Sequence, residues 1–184
     1  MADKVAMFID GAYLDKILQN EFSYARIDYE KFSSWMSQNI QVLRTYYYNC
    51  LPYQSNPPTK DESIRFSKKQ SFYNRLSELP QYEIRLGKLE FRGYNSEGSP
   101  IFIQKRVDIL LGVDLVLLAA KNKISHATIL AGDSDFLPAI TVAKNEGVFI
   151  TLVHGNENPP HDDLWKAADL RLALSNEIIN SVLR

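Results

Sequence analysis

Ala127-Thr128-Ile129-Leu130-Ala131-Gly132-Asp133-Ser134-Asp135-Phe136 is the stretch on which the reading of this chain turns. Residues 127–130 form a short apolar run of the kind that makes a strand buried on both faces. The run stops at Gly132-Asp133. Residues 136–145 then carry helical spacing and stop at Gly147, a residue suited to the position just past a helix. Strand, acidic turn and helix together make half of a βαβ unit. The same pattern opens the chain: Val5-Ala6-Met7-Phe8-Ile9 runs into Asp10-Gly11, and residues 12–20 place Leu14, Ile17 and Leu18 on one helical face. Residues 148–153 add a third strand, ending at His154-Gly155.

The remaining segments extend this alternation. Asp28 caps a helix that runs to about residue 38. Residues 41–49 are β-branched and aromatic and read as a strand. Pro52, Asn56, Pro57 and Pro58 mark a loop. Residues 62–79 carry Phe72, Leu76 and Leu79 at helical spacing. Residues 82–86, 88–92 and 101–104 read as three strands, with 93–100 as a hairpin turn. Residues 107–121 are strongly apolar and helical, and a last helix fills 176–182. Strands alternating with helices predict an α/β fold whose mostly parallel sheet is covered on both faces. The 184 residues suit a single domain over 1–184, with 51–104 as an elaboration on one edge.

Apolar residues make up 45% and charged residues 23% of the chain, ordinary for a soluble globular protein. No apolar run approaches a membrane span, and the N-terminus lacks signal-peptide architecture. Cys50 is the only cysteine, which rules out an internal disulfide or a cysteine-based zinc cluster. These features point to a cytoplasmic protein without a membrane partner, and leave a homo-oligomer open. The net charge of −1 gives no global signature for nucleic acid, but it is unevenly spread. Residues 60–106 hold ten Lys/Arg against six Asp/Glu; residues 107–184 hold six against ten. A fold that joins these regions sets a basic rim beside an acidic pocket, although charge runs are commonly solvated faces.

Open parallel sheets bind ligands just beyond the carboxyl ends of their strands. Asp10 stands there on the first strand, and Asp133 and Asp135 stand there after residues 127–130. Each also suits a helix cap or a turn. Asp108 and Asp114 lie on the apolar helix that precedes. An acid within Asp114-Leu115-Val116-Leu117 needs a partner, because an unpaired charge on a packed helix is costly. The two are about 240° apart around the helix and cannot share one face. Asp114 is expected to be the deeper acid, with Asp108 reaching the pocket from the first turn or favouring the helix dipole there. Clustered carboxylates repel by roughly 4 kcal/mol per pair at ~4 Å with an effective dielectric near 20. Such a site needs protons, cationic side chains or a metal, and an oxygen-only shell suits Mg²⁺ or Mn²⁺. Their chemistry fits in-line hydrolysis of a phosphodiester. Lys105 and Arg106, just ahead of the helix, are candidates to hold a substrate phosphate or are simply a solvated helix start. Ser134 is a candidate phosphate ligand or cap. Tyr46-Tyr47-Tyr48 reads as alternating strand burial, and His126, His154 and His161 show no metal-ligand spacing.

These residues resemble the NYN family of PIN-like ribonucleases. Phe8-Ile9-Asp10-Gly11-Ala12-Tyr13-Leu14 resembles its opening strand motif, and Lys105-Arg106-Val107-Asp108 with Val113-Asp114-Leu115 resembles its acidic helix. Leu130-Ala131-Gly132-Asp133-Ser134-Asp135-Phe136, followed by Pro138, resembles its signature, and Ala168-Asp169 its closing element. The order is right and both ends of the chain match; residues 40–100 contribute little. The resemblance implies a three-layer α/β/α, Rossmann-like fold. It also implies a site in which Asp10, Asp114, Asp133 and Asp135, joined by Asp108, bind Mg²⁺ or Mn²⁺, with single-stranded RNA as substrate. The family often has asparagine where this chain has Tyr13; the Tyr13 hydroxyl takes over the orienting or substrate contact, or the ring packs. Two rival readings stay open: a catalytically weak module that binds RNA or protein on the same fold, and a DNA nuclease or phosphatase.

Overall fold

The computed structural model describes residues 3–184. The chain runs β1 (Lys4–Asp10), α1 (Gly11–Glu21), α2 (Tyr29–Met36), β2 (Gln41–Cys50), α3 (Lys60–Ser77), β3 (Tyr82–Tyr94), β4 (Pro100–Lys105), α4 (Val107–Ala120), β5 (His126–Leu130), α5 (Leu137–Asn145), β6 (Phe149–His154), α6 (Asp162–Ala167), β7 (Leu170–Ala173) and α7 (Asn176–Ser181). The strands form one sheet in the order β4-β3-β2-β1-β5-β6-β7. All pairings are parallel except β3 with β4. This is the α/β fold expected from the alternation of strands and helices. Among the described residues no helix is long and apolar enough to cross a membrane.

Both faces of the sheet are covered, so its central strands are apolar in succession. Val5 through Ile9 are all buried. Alternation then sorts them between two cores. Phe8, Tyr46, Tyr48 and Ile129 pack with Leu111 and Leu115 of α4. Met7, Ile9 and Tyr47 pack with Leu14 and Ile17 of α1 and Leu76 of α3. The three consecutive tyrosines are therefore core on two sides, as expected. Each fully buried aliphatic or aromatic side chain contributes about 1.5–3 kcal/mol.

The path of the chain creates the site. Connections through α1, α2 and α3 place β2 and β3 on one side of β1. The connection through α4 brings β5 back to its other side. Strand order therefore reverses at β1, and the crevice of an open sheet lies beyond the carboxyl ends at such a reversal. Asp10 ends β1 at this place, and Asp133 follows β5.

Three local expectations need correction. Residues 82–94 are one strand, not two. Gly87 reads as a break, yet a Cβ there would strike the Lys105 carbonyl and stand 2.7 Å from Val107. The glycine lets the returning β4 and the start of α4 press against β3. Next, β7 escaped the sequence reading because it is short and only half-covered on its outer side. Last, the helix expected from Phe136 begins with a 3₁₀ turn over Ser134–Phe136 before α5.

Candidate acid site

Asp10 is at once strand end and helix cap. Its Oδ1 accepts hydrogen bonds from the backbone N–H of Ala12 (2.9 Å) and Tyr13 (3.2 Å). Those bonds favour the ionised form, but burial outweighs them, and the carboxylates of Asp108 and Asp133 add repulsion. The Asp10 carboxyl is pushed up to about 6. Asp133 caps the 3₁₀ turn in the same way, its Oδ1 accepting from the Asp135 N–H at 3.1 Å. The capping role and the acid-site role coincide: one oxygen of each carboxylate is used locally and the other carries no cap bond. Asp133, and not Ser134, supplies the cap, so the Ser134 hydroxyl is left out of it.

Asp108 sits in the first turn of α4, where the helix dipole favours an acid. Desolvation raises its carboxyl, and so do the charges of Asp133 and Asp135. Asp108 thus falls within the electrostatic reach of Asp10, Asp133 and Asp135, and Asp10 within that of Asp133. Asp114, expected in the site with them, lies deeper than Asp108 and is engaged by partners of its own. The six-residue offset from Asp108, about 240° around the helix, turns it to another face. Its Oδ2 accepts from the Tyr48 hydroxyl at 2.9 Å and from Arg85 Nε at 3.1 Å, and Arg85 also lies over the Tyr46 ring. Asp114 has an ion-pair partner from β3 that sequence spacing could not reveal. Tyr48 reaches Asp114 from β2, where its register partner on β1 is Asp10.

Lys105 is held by Glu90 at 3.3 Å. Arg106 starts α4 with a left-handed backbone (φ 77°) and has no carboxylate partner among the described residues. Tyr13, for which an orienting or substrate contact and simple packing were both open, donates its hydroxyl to the Asn158 carbonyl at 2.6 Å. Its ring packs so tightly on Gly132 that a Cβ there would stand 2.6 Å from it. The residue next to Asp133 is thereby fixed against the helix that Asp10 caps.

The sequence reading missed a strap across this end of the sheet. The loop after β6 is tied to α1 by Glu21, whose carboxylate accepts from the Asn156 N–H (2.8 Å), the Asn158 N–H (3.0 Å) and the Asn158 side-chain amide (2.9 Å). These bonds hold the Glu21 carboxyl below its ordinary range against the opposing effect of burial. At its far end the loop returns to the acids, the His161 N–H donating to the Gly132 carbonyl at 2.9 Å. His161 itself caps α6, and His154 is buried edge-on to Trp165. Asp169 of the closing motif is structural: it pairs with Lys144 at 2.7 Å and accepts from the Ile150 N–H at 2.8 Å.

The donor set suits a hard divalent cation, being carboxylate oxygen alone, partly desolvated and mutually repelling. As the side chains stand, no three acids, histidines or cysteines among the described residues are grouped closely enough to enclose one. Asp108, Asp133 and Asp135 are exposed at the ends of a helix and a turn, which leaves them room to rotate.

The NYN domain family profile matches residues 4–174, nearly the whole chain. The chain belongs to the NYN domain family. NYN domains are generally nuclease-like. The chain is also similar to the uncharacterized protein y4oD of Sinorhizobium fredii, at 30% identity over 89 residues, which is 46% of this chain and 37% of that protein. The match therefore spans well under half the length of that curated relative. A crystal structure of VPA0982, a protein of unknown function from Vibrio parahaemolyticus, matches 100% of this chain and 97% of its own, with a TM-score of 0.67 and 17% identity. That likeness covers the full chain and speaks to fold alone.

Proposed function

We propose that this NYN domain is a Mg²⁺- or Mn²⁺-dependent ribonuclease that hydrolyses single-stranded RNA endonucleolytically. The observation that carries the reading is the raised Asp10 carboxyl, pressed by Asp108 and Asp133 where the strand order reverses. A buried acid surrounded by acids gains most from a cation. Asp10 and Asp133 would hold the principal ion through their uncapped oxygens, with Asp108 and Asp135 completing the shell. Bound there, the ion supplies Lewis-acid activation of the scissile phosphate and of a water. Arg106, two residues before Asp108 and without a carboxylate partner among the described residues, holds the substrate phosphate, with Lys105 next to it in the chain. Ser134, released from capping, adds a hydroxyl donor to the same phosphate. Asp114 acts at one remove: with Arg85 and Tyr48 it fixes α4 on the sheet and so sets the direction of Asp108.

The test is incubation of labelled, unstructured RNA, the DNA of the same sequence and a phosphomonoester with Mn²⁺, Mg²⁺ or EDTA. RNA alone is expected to be cut, at internal positions and only with metal. Cleavage of DNA at an equal rate would replace the substrate class, and phosphomonoester hydrolysis would replace the reaction. A second reading, a non-catalytic binding module, is favoured by the absence of a closed three-acid group among the described residues. It requires RNA binding without turnover under either metal.

A further inference from the structure

The antiparallel hairpin β3–β4 stands past the carboxyl end of the sheet, since β3 leaves β2 at Gly87 and continues to Tyr94. Strand register sets Phe91 opposite Phe102, with ring centroids 5.8 Å apart. Tyr53, from the loop after β2, lies 5.8 Å from Phe91 and 5.3 Å from Phe102. Tyr94 meets Phe91 edge-on at 5.2 Å. These rings line a groove of about 560 Å³ that Arg65 of α3 borders. Glu62, the acid in its lining, is engaged by Ser55 and Thr59 in the capping box of α3. The rings are open to water: Phe91 is 37%, Phe102 39% and Tyr94 68% exposed. A contiguous apolar set left uncovered marks a place where something binds.

The position of the groove says what. From Phe102 the strand runs to Lys105, roughly 10 Å at ~3.3 Å per residue. Arg106 follows, and Asp108 opens the acid site two residues later. Along the chain the hairpin therefore leads from the rings, through Arg106, to the first acid of the site. The reverse face of the hairpin gathers Lys88, Arg92 and Lys105 around the single carboxylate of Glu90, a surplus of positive charge. On the ring face itself the cation is Arg65, and aromatic rings with a bordering cation are the arrangement that binds single-stranded nucleic acid without reading its sequence. Arg65 in the wall of the groove offers a phosphodiester backbone a partner that an apolar peptide or a second copy of the chain does not need.

We propose that the β3–β4 groove is a nucleobase-stacking subsite. It takes unpaired bases of the RNA on Tyr94, Phe91 and Phe102, with Arg65 at its border and Arg106 between the hairpin and the acids. The proposal rests on the nuclease reading for its substrate class. The test is fluorescence anisotropy of a short labelled oligouridylate in EDTA, where nothing can be cut. Tyr94→Ala and Phe102→Ala are each expected to weaken binding by roughly tenfold, within the range of base–aromatic stacking. Tyr94→Phe keeps the wild-type affinity. The ring variants leave the salt dependence as it is, whereas Arg106→Ala lowers its slope by about 0.7. Tyr94 is exposed enough that its loss leaves the circular dichroism unchanged. Equal binding by wild type and both alanine variants overturns the groove and leaves the nuclease reading standing. No binding by the wild type, or self-association that Phe102→Ala abolishes, also overturns it. Ring-dependent binding by a protein that cleaves nothing supports the groove and removes the nuclease reading.

Discussion

Asp10→Asn is expected to stabilise the metal-free protein at neutral pH and, in the same step, to end its response to manganese. Asn is as good a helix cap as Asp, so its side-chain oxygen keeps the bonds from Ala12 and Tyr13 N–H. What it removes is a buried negative charge facing Asp108 and Asp133. Folding moves this carboxyl from 3.8 to about 6. At about 1.36 kcal/mol per pH unit, the ionised group makes folding about 3 kcal/mol less favourable than the protonated one. The sign follows from proton binding. The folded state holds the proton more tightly, so the penalty is absent below pH 3.8, grows as pH rises toward 6 and is complete above that. Part of the gain is returned in burying an amide, which leaves roughly 1–3 kcal/mol at pH 7.5 and little at pH 4. For a chain of this length that is roughly 2–12 °C in melting temperature. Thermal melts in EDTA between pH 4 and 8 read it directly. Mn²⁺ should raise the wild-type melting temperature at pH 7.5 and leave the variant where it was. A variant less stable than wild type at pH 7.5, or one with the wild-type pH dependence, would refute this account of Asp10.

Arg85→Met strips Asp114 of its ion pair. It should cost roughly 1–2 kcal/mol in urea titrations, a modest figure because Arg85 is about a third exposed; a neutral effect would mean the pair does not fix α4. Two glycines separate site from scaffold. Gly132→Ala drives a Cβ into Tyr13 and should cost roughly 1–3 kcal/mol as well as activity. Gly112→Ala meets nothing nearer than Ala139 at 3.5 Å and should stabilise α4 by roughly 0.5–1 kcal/mol. Glu21→Gln should destabilise by about 1 kcal/mol at pH 7, through the loss of charge-assisted bonds to the strap. Because folding lowers the Glu21 pKa, its contribution is present above the ordinary glutamate range and is lost as the pH falls, so the two proteins should converge in acid. A difference that persists at low pH would show that the charge of Glu21 is not what holds the loop.

The legible parts of this chain were those where one local signal sufficed. The strands β1 and β5 are apolar runs with an acid just beyond, and parallel-sheet logic then places Asp10 and Asp133 together without knowledge of any other contact. Long-range partners were the illegible part. The six-residue spacing of Asp108 and Asp114 says that they diverge, but not which one faces the acids. Arg85, arriving from β3 across the sheet, decides it. Tyr13 likewise depends on Asn158, 145 residues away in the chain. Gly87 misled because a glycine that ends a strand and one that admits a neighbouring backbone look alike in sequence. The short α6 and β7 are specified by docking onto β6 more than by their own periodicity, and the aromatic groove exists only because register aligns Phe91 with Phe102.

The central claim is that the acids gathered around Asp10 cut RNA with the help of a divalent ion. The measurement that tests it most directly is cleavage of a labelled single-stranded RNA in Mn²⁺ by the wild-type protein and by Asp133→Asn, purified side by side and matched in melting temperature. The account expects cleavage by the wild type that EDTA abolishes and that the variant lacks. Cleavage by Asp133→Asn at the wild-type rate, or none by either protein with any metal, would contradict it.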